Sequence, residues 1–170
     1  AVVALMQGPN RTPRRADYKR VSAELREAEA LFDDRGWLDD PRSYHRDPEP
    51  LVDVSFSSGW ALGQRYRRMS WDSGYHARPE EPGAQRWDAF ERNHTASAWL
   101  LEHDDGPRPW VVYVHGFGTG APFSDMITFR AQHLHHELGW NVAAIVLPVH
   151  GSRRPSLVGG EDFLGFDMMN

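Results

Sequence analysis

Arg108 to Gly120, RPWVVYVHGFGTG, is the stretch around which the rest of the chain is arranged. Apolar residues run from Trp110 to Val114 and stop at His115-Gly116, after which glycines alternate at Gly116, Gly118 and Gly120. A short, almost wholly apolar run predicts a strand buried on both faces, as in parallel sheets. Glycines just beyond its carboxyl end let the backbone turn sharply and bring N–H groups close to a ligand. In open α/β sheets ligands bind beyond that edge. The stretch therefore reads as one lip of a site.

Downstream, Ser124 or Asp125 can cap a helix in which Ile127, Ala131, Leu134 and Leu138 share one face. Met126 widens that stripe, Phe129 falls off it, and Gly139 closes the helix. His133, His135 and His136 fall in its last turns, where imidazoles suit the helix dipole and take surface or hydrogen-bonded roles. Asn141 to Leu147, NVAAIVL, is a second buried strand. Strand, helix and strand make a βαβ unit with its two strands parallel. The loop Pro148 to Arg154 follows, and Phe163, Leu164, Phe166, Met168 and Met169 read as the start of a helix that needs a partner.

Upstream, Thr12-Pro13 can open a helix in which Val21, Leu25, Ala28 and Phe32 recur at helical spacing, ending at Gly36. That helix is expected to lie on the main domain or to pair with a second copy of the chain. Residues 36 to 50 read as an irregular wrap, so residues 1–50 form an N-terminal helix and wrap, and 51–170 the main domain. Leu51 to Phe56 and Arg65 to Trp71 predict short strands. Arg65, Arg67 and Arg68 could bind an anion, but better fit a charged edge strand that resists pairing with other chains. A long connection over 72–92 leads to the strand Thr95 to Leu101, expected beside the organising strand in one sheet. His103, Asp104 and Asp105 carry metal-capable atoms, yet three neighbours on one turn rarely converge on an ion, and no metal site is predicted.

Composition narrows the function classes. Of 170 residues, 40% are hydrophobic and 25% charged, which fits a globular chain with a real core. A net charge of -5 argues against binding a nucleic-acid backbone. The absence of cysteine removes disulfides, thiolate nucleophiles and cysteine metal sites, and is compatible with a cytoplasmic setting. No run approaches the roughly 18 apolar residues of a membrane span, and Ala1 to Met6 is too short for a signal peptide. Asn93-His94-Thr95 fits a glycosylation acceptor, a pattern short enough to occur by chance.

VVYVHGFGTG, then a helix, then NVAAIVLPVHG resembles the early part of an α/β-hydrolase over roughly residues 94 to 155, and LPVHGSRRP is most similar to esterase-like branches. The resemblance implies an incomplete α/β-hydrolase-type sheet, with early antiparallel strands followed by a parallel βαβ unit. It also implies that the backbone N–H of Phe117, with Gly118 as runner-up, holds the oxyanion of an acyl-transfer intermediate. His115, Gly116 and Gly120 would then support the loop, and His150, Gly151, Arg153 and Arg154 would face substrate, the arginines attracting an acidic group.

The elbow Gly-x-Ser-x-Gly of that family is absent from the chain, and the family order places nucleophile, acid and histidine later. The expectation is thus the front portion of a serine hydrolase, inactive alone, with the C-terminal half absent. It would act on a small-molecule carboxylic ester or related acyl bond, with no cofactor. Dehalogenase, epoxide hydrolase and acyltransferase chemistry stay open. Its partners would be that substrate, the remaining part of the same fold and, through the N-terminal helix, a second copy. The alternative is a non-catalytic hydrolase-like binding module. A phosphate cradle fits poorly, because HGFGTG matches neither GxGxxG nor a Gly-Lys-Ser/Thr ending.

Overall fold

The computed structural model describes residues 15–116 and 119–154. Helix α1 (Arg15–Asp34) precedes strands β1 (Ser55–Ala61) and β2 (Gln64–Asp72). A short helix α2 (Ala84–Asp88) leads to β3 (Thr95–Leu101) and β4 (Trp110–Val114). Helices α3 (Pro122–Thr128) and α4 (Ala131–His136) then precede β5 (Asn141–Val146). The strands form one open mixed sheet in the order β1-β2-β3-β5-β4. β4 and β5 are parallel, and every other neighbouring pair is antiparallel. None of the helices among the described residues is long and apolar enough to cross a membrane.

Strands β3 and β4 follow one another in sequence but are not neighbours, which corrects the expected pairing; β5 lies between them. Asn141, at the start of β5, holds this arrangement. Its side-chain carbonyl accepts the His103 N–H at 2.9 Å, and its own N–H donates to the Pro109 carbonyl at 2.9 Å. The connection between β3 and β4 is thus bonded to the strand inserted between them.

The insertion leaves β4 at the edge, so the expectation that Trp110 to Val114 is buried on both faces is also corrected. Val112 and Val114 are 58% and 54% exposed, and Tyr113 is the one strongly buried side chain of this strand. β5 takes the doubly flanked place. The arginine-rich strand β2 is internal rather than an edge, paired on both sides. Arg67 is neutralised there by Glu102 at 2.9 Å and lies over the Phe56 ring, 4.2 Å from its centroid. Asp53, with φ 51, breaks the expected first strand, which begins only at Ser55.

Alternation along the register places Trp99, Leu101, Tyr113, Val142 and Ala144 on one face of the sheet. Met126 and Ala131 from α3 and α4 complete this core, and Phe129 stacks on Tyr113 with ring centroids 4.1 Å apart. The helix expected to run unbroken is split, because Arg130 adopts a left-handed conformation with φ 51. The split redirects the apolar stripe: Ile127 and Leu138 are exposed, while Met126 and Phe129 turn inward. The other sheet face leaves Phe56, Trp60 and Val112 exposed.

Helix α1 docks by charge and by aromatic packing. Glu24 accepts two hydrogen bonds from Arg86 at 2.9 and 2.8 Å and one from Arg20 at 2.9 Å. Phe32, Trp37 and Tyr44 cluster with centroids 5.1 to 5.4 Å apart, and the Arg78 guanidinium lies 4.7 Å from the Trp37 centroid. The expected opening at Thr12-Pro13 falls outside the described residues.

An edge strand with alternate exposed valines is a template for strand addition. Expressed by itself, the 170-residue chain is expected to self-associate, and Val112→Lys should reduce that association while leaving the melting temperature within a few degrees. Sedimentation velocity checks this; a monomer with a cooperative melt in the unmodified chain would refute it.

Candidate functional site

The loops that follow β4 and β5 close on each other at the carboxyl ends of the two parallel strands. His115, directly after β4, is buried. Its Nε2 accepts the Leu147 N–H at 3.0 Å, which assigns the proton to Nδ1, and Nδ1 donates to the Gly116 carbonyl at 3.0 Å. The end of one parallel strand is thereby tied to the end of the other. The Gly116 carbonyl also accepts the Thr119 hydroxyl at 2.7 Å.

Gly120 packs directly on the His115 ring. Its φ is +99°, and a Cβ built there would lie 2.6 Å from Nε2 and 2.8 Å from Cε1 of His115. Gly151, from the other loop, backs onto the Gly120 carbonyl so tightly that a Cβ would overlap it. His150 is buried beside His115 with ring centroids 4.8 Å apart, and its Nδ1 lies 2.9 Å from the Pro148 carbonyl. Two glycines are thus required by close approach of the two loops as well as by backbone angle.

Asp125 anchors the first loop from beneath. It is fully buried and its carboxylate accepts the Gly120 N–H at 2.8 Å, the Ser124 hydroxyl at 3.2 Å and the Trp99 indole N–H at 3.3 Å. Burial, and then the negative charge of Asp125, push the Tyr113 hydroxyl pKa well above its ordinary value, so Tyr113 stays protonated.

The second loop is braced from the β3 side. Val149, at φ 57, is a β-branched residue in left-handed backbone, and its N–H donates to Asn93 Oδ1 at 2.8 Å. Arg153 is buried and donates to the Val146 carbonyl at 3.2 Å and the Asn93 carbonyl at 2.7 Å. Burial works against its charge and draws its pKa below the ordinary arginine value.

Between these loops and the sheet lies an open cleft lined by Tyr66, Arg68, Ser97, Trp99, Gly120, Gly151 and Ser152, among others. The Ser97 and Ser152 hydroxyl oxygens are 3.1 Å apart. Of the residues singled out from sequence, His115, Gly116, Gly120, His150 and Gly151 are gathered at this edge, and Gly120 and Gly151 line the cleft. Arg153 lies behind the loop, its guanidinium committed to backbone carbonyls. The Arg154 carbonyl accepts from Arg92 at 3.3 Å. Phe117 and Gly118 fall outside the described residues.

The sequence does not announce the buried role of Asp125, or the places of Ser97 and Arg68 in the cleft. Asp125 carried a signal as a helix-capping candidate, but its acceptor role is spent on Gly120 and Trp99. Arg68 was grouped with its neighbours as an edge charge; only the pairing of β2 on both sides shows that it faces the cleft.

No family model matches the chain. Two curated proteins of Mycobacterium tuberculosis are similar to it, both described as uncharacterized. One, from strain CDC 1551 / Oshkosh, is 38% identical over 153 residues. The other, from strain ATCC 25618 / H37Rv, is 37% identical over 153 residues. Each match covers 90% of this chain and 37% of the relative, so the chain spans little more than a third of the length of these relatives.

Asp125→Ala would strip a buried N–H and an indole of their shared acceptor and should cost about 3 kcal/mol. Gly120→Ala, with its left-handed backbone and the His115 ring in the way, should cost at least about 2 kcal/mol. Denaturant unfolding measures both; losses below about 0.5 kcal/mol would show that the loops are not interlocked as described.

Proposed function

We propose that this chain supplies the oxyanion side of an α/β-hydrolase-type serine hydrolase that cleaves a carboxylic ester or a related acyl bond. The observation that carries this reading is the meeting of the two strand-end loops over a cleft at the carboxyl edge of parallel strands. Antiparallel strands lead into that parallel pair, as the resemblance implies, and the His-Gly turn lies at its end.

In this reading the backbone N–H of Phe117, or of Gly118, stabilises the negative oxygen that forms as the acyl carbon becomes tetrahedral. A fixed donor at that position acts where charge develops and needs no reorganisation during the reaction. His115 does no proton transfer: its Nε2 is occupied by the Leu147 N–H, and its work is to fix where the loop begins. Trp99 and Tyr66 supply apolar wall for the acyl group, and Arg68 supplies the positive charge for an acidic substituent. Nucleophile, acid and base come from the remainder of the protein.

The test is to treat the full-length protein with a fluorophosphonate probe and locate the adduct by mass spectrometry. A labelled serine outside these 170 residues, in a glycine-flanked turn, is the expected result. No adduct on a folded protein would favour a non-catalytic binding module instead. With the adduct found, Phe117→Pro, which removes one N–H, should lower kcat by roughly 10²- to 10³-fold with little change in KM.

A further inference from the structure

The connection between β2 and β3 lies away from the mechanism above, yet it brings together side chains with metal-binding chemistry. We propose that His76, Asp88 and His94 form a site for a divalent transition-metal cation, with Zn²⁺ the best match to the donor set. His76 lies in the extended stretch after β2, and Asp88 is the last residue of α2. His94 ends a single 3-10 turn, Glu91–His94, immediately before β3.

One ligand atom from each residue lies within 4.8 Å of the other two. His76 Nδ1 and Asp88 Oδ1 are 3.9 Å apart. The imidazoles of His76 and His94 have centroids 5.5 Å apart and are inclined at 67°. Tetrahedral bonds of about 2.0–2.1 Å to zinc set donor separations of roughly 3.3 Å, so these atoms need to close by roughly 1.5 Å at most. Side-chain rotation alone covers that distance.

A second observation points the same way. His94 Nε2 is shut off from solvent and has no hydrogen-bond partner among the described residues. Such a nitrogen is costly to bury, and a bound cation would satisfy it. Two neutral imidazoles and one carboxylate suit zinc, whereas calcium and magnesium favour oxygen alone. Three protein ligands leave a fourth position for water.

The surroundings hold the ligands in place. The Ala77 N–H donates to Asp88 Oδ1 at 3.4 Å, and Arg46 donates to the His76 carbonyl at 3.4 Å. Outer contacts of this kind orient first ligands. The site would clamp a long connection to the turn that leads directly into β3. It would also fix Asn93, next to His94, which carries Val149 and Arg153 of the loop bordering the cleft. This reverses the expectation of no metal site: the donors come from an extended stretch, a helix end and a 3-10 turn, so no spacing in the sequence announces them.

Chelator-treated full-length protein, prepared without a polyhistidine tag, would be titrated with Zn²⁺ by calorimetry. One saturable equivalent is expected, weakened at least about 10-fold by His94→Ala and by Asp88→Asn. His76→Ala, at an exposed position, gives the same reading should either of the other variants fold poorly. Co²⁺ should give the visible absorption of a tetrahedral site, lost in the same variants and kept in His103→Ala. Absence of saturable Zn²⁺ binding by folded protein, or binding unchanged in the three ligand variants, would overturn the proposal.

Discussion

A carboxylate with no access to water holds the cleft edge together. Asp125 binds the Gly120 N–H, the Ser124 hydroxyl and the Trp99 indole, so one side chain joins the loop after β4, the first turn of α3 and strand β3. A buried carboxylate is costly unless its oxygens are hydrogen-bonded, and here both oxygens have donors. The position of Gly120 follows from that bond. From Gly120 follow the contact with His115 and the close approach of Gly151. His115 is thus held against the end of β5 and Gly120 against α3 and β3.

The two faces of the sheet differ in kind. One is sealed by α3 and α4 around Trp99, Tyr113 and Ala144. The other exposes Phe56, Trp60 and Val112, although sheets with parallel strands are generally covered on both faces. The cleft opens on the sealed face, where Tyr66, Arg68, Ser97 and Trp99 alternate inward.

Much of the element structure was legible in the sequence. Thr95–Leu101 forms the strand read from its composition, β2 runs one residue past its expected limits at each end, and β5 stops one residue short at its end. Those segments pass abruptly between apolar or β-prone residues and polar turns, so local pattern decides them. Neighbourhood was not legible. That β5 separates β3 from β4 depends on Asn141 bonding to both sides of a loop, a long-range contact without a local signature. The break at Arg130 was hidden for another reason: arginine is a good helix former, and only tertiary packing of Phe129 and Ala131 turns it left-handed. In the site, the glycines showed because close approach demands a particular residue. Asp125 showed only as a helix cap, because its buried role lies in partners up to 26 residues away.

The insertion of β5 between β3 and β4 also governs the order in which the chain can assemble. Two strands joined by a loop of eight residues would ordinarily zip into a hairpin within microseconds. Here such a hairpin would fill the slot that β5 occupies. β5 follows both of its flanking strands in the chain, and its pairs with β3 run from Leu101 with Val142 to Ser97 with Val146, more than forty residues apart. Pairs between residues so far apart in the chain are of the kind that lowers folding rates. The bonds of Asn141 to the loop between the flanking strands form only when β5 sits in that slot, and they hold it there.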